Sequence, residues 1–369
     1  MYEEFHVYYL VIFAALVLML FAYVQMSDRG DELNNFFAFF ALAFVFINIL
    51  IFLNLMFQIT YFHRNVLPIW CLTLGLPILV IGLVVLISSI LLFCYKLAFK
   101  QKDYKEREEK WNKRITGMSK TKRDVYRKIS HVLIFIVLFV VWYIGYTVVI
   151  NSEETWVGMI PTNNNTLELY INVLTTQEYI ESGLFELGWF YYLIFFFFYG
   201  LCLFLLVNEL TRKSKYLSFP FNLLPKLIMT EEEKRSYGTY LYFAIGQMFA
   251  AFLCPPMVFF AILGIAGIGD LMTSQIGIRY GKHHIKWNDR KTYEGTCAGT
   301  ITCFILCWFF VGIIWSTIFT IVFTLIDVFT DKPLRISDNL LIPIGCALTY
   351  VFIRYFFDLD YITIIMEWF

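Results

Sequence analysis

The sequence predicts an all-α fold, a polytopic transmembrane helical bundle of about ten spans. Three observations lead there. Hydrophobic residues fill 59% of the 369 positions and charged residues only 16%, with 40 Phe and 24 Tyr. So much apolar surface exceeds what a soluble core can hide and needs lipid as its solvent. Apolar runs of about 20 residues, long enough to cross the hydrocarbon layer, recur along the chain. The connectors between these runs carry sharply different charge.

Taken in order, the runs lie at roughly 5–25, 36–62, 69–95, 132–150, 188–207, 238–254, 257–274, 294–311, 313–330 and 339–357. The first follows Glu3 and Glu4 without the basic segment that a cleaved signal peptide needs, so it reads as a retained span. Pro255-Pro256 divides the sixth run from the seventh, because proline has no N–H to continue a helix. Gly312 divides the eighth from the ninth as a tight turn; at both places a kink is the alternative. The cysteines Cys71, Cys94, Cys202, Cys254, Cys297, Cys303, Cys307 and Cys346 fall in or beside apolar runs, which suits packing and not a disulfide framework.

Charge placement orients the chain. The connector from Lys96 to Lys128 holds thirteen Lys or Arg against five Asp or Glu, whereas Asn151 to Leu187 has six Glu and no Lys or Arg. The positive-inside rule makes the first cytoplasmic and the second external. The basic stretches Arg212 to Arg235 and Arg279 to Lys291 then fall on the cytoplasmic side, and both termini on the other. Glu231 to Arg235 reads as an amphipathic interfacial piece. Asn164-Asn165-Thr166 forms a glycosylation sequon in the external loop. Formal net charge is +0, so no global field recruits nucleic acid, and membrane lipid is the expected surrounding. The chain divides into spans without a recognised motif at 1–100, a basic connector at 101–131 and a membrane-embedded region at 132–369.

Function is sought where charge meets the bilayer. Asp270 follows an apolar run directly, and such a carboxylate usually faces protein, water or an ion. Around it Gly264, Gly267, Gly269, Gly277 and Gly281 leave the backbone bare, for close helix packing or for close approach of a phosphate. Lys291, Thr292, Glu294, Gly295 and Thr296 open the next run. Lys291, three residues before Glu294 at the start of a helix, shares a face with it, giving either an anion-binding corner or an interfacial ion pair. Asp270 and Glu294 supply hard oxygens suited to Mg2+, and Lys291 a point charge for phosphate. His283 and His284, adjacent in sequence, point apart and read as surface loop, with Lys282 or Lys286 free to touch phosphate. Arg127, Lys128, Ser130 and His131 flank the fourth run, either as a pyrophosphate grip or as an ordinary basic flank. Glu209 and Arg212 end the fifth. Asp338 and Asn339 begin the last, as helix cap or as site residues.

In order and spacing these elements resemble the polyprenol kinase family, which includes the dolichol, phytol and yeast-type diacylglycerol kinases and is related to phosphatidate cytidylyltransferase. The matching residues are Arg127, Lys128 and His131; Glu209, Leu210 and Arg212; Gly269, Asp270, Ser274, Gly277 and Gly281; Lys291, Thr292, Glu294, Gly295 and Thr296; and Asp338, Asn339, Ile342 and Pro343. They span roughly residues 122–347. Thr273 and Thr292 stand where the family usually has Ala and Ser. The resemblance implies transfer of the γ-phosphoryl group of CTP to a lipid alcohol, with Mg2+, at the cytoplasmic face of the endoplasmic reticulum or, in an archaeon, of the plasma membrane. It implies Asp270 and Glu294 as metal ligands, with Asp270, Lys291, Glu294 and Asp338 catalytic and Asp338 accepting the hydroxyl proton. Nucleotide would fall to Arg127, Lys128, His131, Gly269, Ser274, Gly277, Gly281, Lys282, Thr292, Gly295, Thr296 and Asn339. A cytidylyltransferase forming a CDP-lipid is the alternative enzyme. A transporter or flippase is the alternative from another class, with Asp270 as its coupling carboxylate.

Overall fold

The computed structural model describes residues 33–45, 117–151, 237–330, 332–334 and 336–367, with scattered positions between the first three stretches. The run at 5–25, most of those at 36–62, 69–95 and 188–207, the stretch Arg212 to Arg235, the sequon's Asn164 and the Arg127 side chain lie outside the described residues. What is described is mostly helical: α1 (Leu33–Val45), α2 (Lys120–Asn151), α3 (Thr239–Leu253), α4 (Pro256–Gly264), a π-helical turn (Ile265–Gly269), α5 (Asp270–Tyr280), β1 (His284–Ile285), β2 (Asn288–Thr292), α6 (Tyr293–Phe329), α7 (Asp338–Phe357) and α8 (Ile364–Glu367). Among the described residues, four helical stretches are long and apolar enough to cross a membrane: Asp124–Val148, Pro256–Tyr280, Tyr293–Phe329 and Asp338–Phe357.

The break between α3 and α4 falls where the prolines require it. Cys254 caps α3, Pro255 precedes α4, and Pro256 occupies the first turn, where a missing N–H costs nothing. From Pro256 to Gly267 the chain is buried all round, which makes this helix the centre of the bundle.

α6 is two helices, not one. Gly312 has φ 76° and ψ 177°, a conformation almost confined to glycine. The hydroxyls of Thr300 and Thr324 lie 2.9 Å apart, Ser316 donates to the carbonyl of Phe304 at 2.5 Å, and Thr296 donates to Asp327 at 2.8 Å. In a straight helix rising about 1.5 Å per residue, Thr296 and Asp327 would stand some 46 Å apart. The chain therefore reverses at Gly312, as the sequence predicts, into an antiparallel pair with its two open ends together. Gly312→Ala places a Cβ 3.0 Å from the Ile362 carbonyl in a disfavoured backbone region, and should cost about 1–3 kcal/mol. Thermal unfolding of the detergent-solubilised protein checks this.

Small residues draw the helices together. A Cβ on Gly264 or Gly269 would strike Leu306 or Cys303 of α6, and one on Gly295 would meet the Thr273 carbonyl at 2.6 Å. Gly246 of α3 brings that helix onto the start of α7, where a Cβ would stand 2.9 Å from the Asn339 carbonyl and 3.1 Å from the Pro343 ring. At Gly264, Gly269 and Gly277 the absent Cβ lets neighbouring helices approach closely. The loop expected around His283 and His284 is instead a two-stranded antiparallel hairpin. It is fastened to the end of α6 by Asn288, which donates to the carbonyls of Val328 and Thr330 at 3.2 and 2.6 Å, and by Trp287 stacked on Phe329.

Candidate functional site

The open end of the α6 pair, the start of α7, the end of the π-helical turn and the head of α2 meet at one end of the bundle. On α2, Asp124, Lys128 and His131 recur at intervals of four and three, which places them on one face of the helix. Asp124 accepts hydrogen bonds from Ser274 and, at 2.9 Å, from the Gln275 amide. Lys128 is buried and reaches Asp270 twice, at 2.8 Å from the carboxylate and 2.9 Å from the carbonyl. His131 lies flat on Phe243, ring centres 3.7 Å apart. The wider π turn delivers Asp270 to Lys128, in keeping with the frequent placing of such turns at functional sites.

Lys291, on β2, donates to Asp327 at 2.6 Å and to Asp338 at 3.2 Å. The second oxygen of Asp327 accepts from Thr296, and the second oxygen of Asp338 accepts from the Asn339 backbone N–H at 2.9 Å. Burial works against the Lys291 charge, but Asp338, Asp327 and Asp270 outweigh it and hold the ammonium well above the usual lysine range. Asp338 and Lys291 also lie close enough to act on the charge of Asp270, so the two ion pairs form one cluster. Among the described residues the cluster brings together three carboxylates and two ammoniums. The cluster opens at Asp338, whose side chain is 21% exposed against 1% for Asp327 and 5% for Asp270.

Several expected residues stand elsewhere. Glu294 does not join Asp270: it accepts hydrogen bonds from the His283 ring at 2.6 Å and its backbone N–H at 3.3 Å. The reason is local. α6 starts at Tyr293 with Thr292 as its cap, so Lys291 belongs to an extended strand and cannot share a helical face with Glu294. The acidic neighbour of Asp270 is Asp338. Lys282 is exposed on the hairpin side of α5. Thr292 accepts from the Gly295 N–H at 3.2 Å and packs against Gly277 and Gly281. Ser274 is held by Asp124. At α7 the cap position belongs to Ser337, one residue before Asp338, and the Ser337 N–H is taken by Asn34 of α1 at 2.6 Å. Glu209 is fully buried and accepts from Tyr240. Cys202, Cys254, Cys303, Cys307 and Cys346 are buried and free, whereas Cys297 is exposed.

Sequence reasoning overlooked Asp327, Asp124 and Gln247. Asp327 carried a visible signal, a lone carboxylate near the end of an apolar run, the same signal that singled out Asp270. Among the described residues no group of three or more His, Cys, Asp or Glu side chains converges as a metal cage. Asp270 nevertheless suits Mg2+, which binds through one or two carboxylates and fills its remaining positions with water and phosphate oxygen. No protein-family model, curated protein or solved structure matches the chain.

Proposed function

We propose that the chain is a multi-pass membrane lipid-alcohol kinase that moves the γ-phosphoryl group of CTP to a polyprenol hydroxyl, dolichol being the leading acceptor, at the cytoplasmic face. The observation that carries this reading is the cluster of Lys128, Lys291, Asp270, Asp327 and Asp338 gathered at one end of apolar helices. Phosphoryl transfer needs positioning and charge neutralisation more than covalent catalysis, and this cluster supplies both. The choice of CTP and polyprenol rests on the family resemblance.

In this reading Lys291 and Lys128 neutralise phosphate oxygens, with Arg127 adjoining Lys128 in sequence. Asp270 would hold Mg2+, which when bound would supply charge neutralisation to the nucleotide phosphates. Asp327 touches no substrate; it positions Lys291. Asp338, the most exposed of the three carboxylates, accepts the hydroxyl proton as the acceptor oxygen bonds to the γ-phosphorus and the bridging P–O bond breaks, releasing CDP.

Product analysis is the test. Purified protein given Mg2+, CTP and a panel of polyprenol, phytol and diacylglycerol should form a lipid monophosphate together with CDP. Release of pyrophosphate with a CDP-lipid would replace the kinase by a cytidylyltransferase. Absence of both products would remove the enzyme reading.

A further inference from the structure

We propose that Gln247, with Asn339, forms a hydroxyl-binding subsite for the lipid alcohol, one layer deeper in the bundle than the charge cluster. The identity of the ligand rests on the kinase reading; the place of the subsite rests on geometry alone. Gln247 is 0% exposed within α3, whose other residues near it are apolar. Neither its Nε2 nor its Oε1 meets a hydrogen-bond partner among the described residues. A carboxamide carries two N–H donors and an acceptor oxygen, and burying all of them unpaired in a membrane-like interior is expensive, whereas leucine at the same place would carry no such penalty.

The surroundings locate this amide. Phe243, one turn before Gln247 on the same stripe of α3, stacks on His131 of α2, one turn beyond Lys128. Gly246, the residue before it, touches the Asn339 and Leu340 carbonyls and the Pro343 ring of α7. Gln247 therefore follows the glycine that meets α7 and lies one turn beyond the ring that reaches α2. On the α7 side Asn339 is 6% exposed, and its Oδ1 also lacks a partner among the described residues. Its backbone N–H is bonded to Asp338, which holds Lys291. Asn339 thus adjoins the carboxylate assigned to proton transfer, and Gln247 follows the glycine that meets the Asn339 carbonyl.

An alcohol matches this pair. Its O–H donates to Asn339 Oδ1, and its oxygen accepts from Gln247 Nε2. Its body must be apolar, because the buried neighbours on the two helices include Met248, Ala250, Ile342 and Cys346. The pair is also uncharged, so it holds the neutral alcohol and offers nothing to its phosphate. Phosphorylation would therefore weaken the grip on the product and favour its release.

The test uses the full chain in lipid nanodiscs, with geranylgeraniol as probe and its methyl ether as control. Gln247→Leu and the isosteric Gln247→Met should melt at or above the temperature of the unaltered protein, since each removes an unpaired buried amide. Both should lose the thermal stabilisation given by geranylgeraniol and raise the KM for the alcohol about tenfold, the equivalent of one hydrogen bond, leaving the KM for CTP unchanged. The methyl ether, which has no O–H, should stabilise the unaltered protein less than the alcohol does. Unchanged alcohol binding in both variants overturns the proposal and leaves water as the partner of these amides; lower melting with equal loss of CTP and alcohol binding overturns it in favour of a packing role. If the unaltered protein binds the alcohol but never phosphorylates it, the kinase reading fails and the subsite stands. If phosphorylation proceeds and the variants keep the alcohol KM, the subsite fails and the kinase stands.

Discussion

Lys291→Met should abolish phosphoryl transfer and destabilise the protein together. The ammonium is the shared partner of Asp327 and Asp338, and Asp327 is 1% exposed with Thr296 as its remaining side-chain partner. Removing one member of a buried ion pair strands the other, at a cost of about 3–5 kcal/mol. Loss of a preorganised charge facing the transferring group costs about two to three orders of magnitude in kcat. The double variant Lys291→Met with Asp327→Leu separates the two effects. With both charges gone the buried pair becomes an apolar contact, so stability should return toward that of the unaltered protein while activity stays lost. Thermal unfolding and a CTP-dependent lipid phosphorylation assay measure the two outcomes. A double variant that regains activity would exclude Lys291 from the chemistry.

The pH dependence of this contribution has a definite sign. Carboxylates raise the folded-state pKa of Lys291 above the ordinary 10.5. The stability it contributes is complete below that ordinary value and fades only as pH rises through the raised one. Across the neutral range the ammonium should behave as a fixed charge. A pH-rate profile that changes near neutrality therefore reports another group.

How much of this was legible in the sequence depends on whether the signal is local. The Pro255-Pro256 break and the Gly312 turn were readable because each follows from the backbone chemistry of one or two residues. Lys128, Asp270, Lys291 and Asp338 could be chosen because charge beside an apolar run is conspicuous. Their pairing could not, since it depends on a start to α6 two residues later than a common helical face for Lys291 and Glu294 requires. The extended Lys291 then turns toward Asp327, and Glu294 is left to His283. Asp327 went unnoticed because its partner is brought to it only by the reversal at Gly312. Gln247 gave even less signal: an uncharged amide barely disturbs the hydropathy of a span. α1 shows the same limit from the other side, since Asn34 meets Ser337 beside the site although nothing near it in sequence resembles a motif.

Asp270 and Lys128 offer the second large effect, and here the two partners should behave differently. Lys128→Met leaves the Asp270 carboxylate, 5% exposed, without its closest cation, so both stability and activity should fall, stability by about 3–5 kcal/mol. Asp270→Asn is milder for the fold. Lys128 keeps its bond to the residue 270 carbonyl, and the new carboxamide is neutral and nearly isosteric. Its activity should nevertheless drop by about two to three orders of magnitude, because the negative charge meant for Mg2+ and for balancing the phosphates has gone. Raising Mg2+ should not rescue Asp270→Asn if its carboxylate is a direct ligand, whereas partial rescue would make Asp270 a partner of Lys128 alone. Measured on the same preparations, a folded and inactive Asp270→Asn would assign chemistry to the carboxylate, while Lys128→Met would combine loss of the fold's ion pair with loss of a phosphate-facing charge. Full activity in Asp270→Asn would remove that residue from the site and leave Asp338 as the carboxylate around which the reaction has to be built.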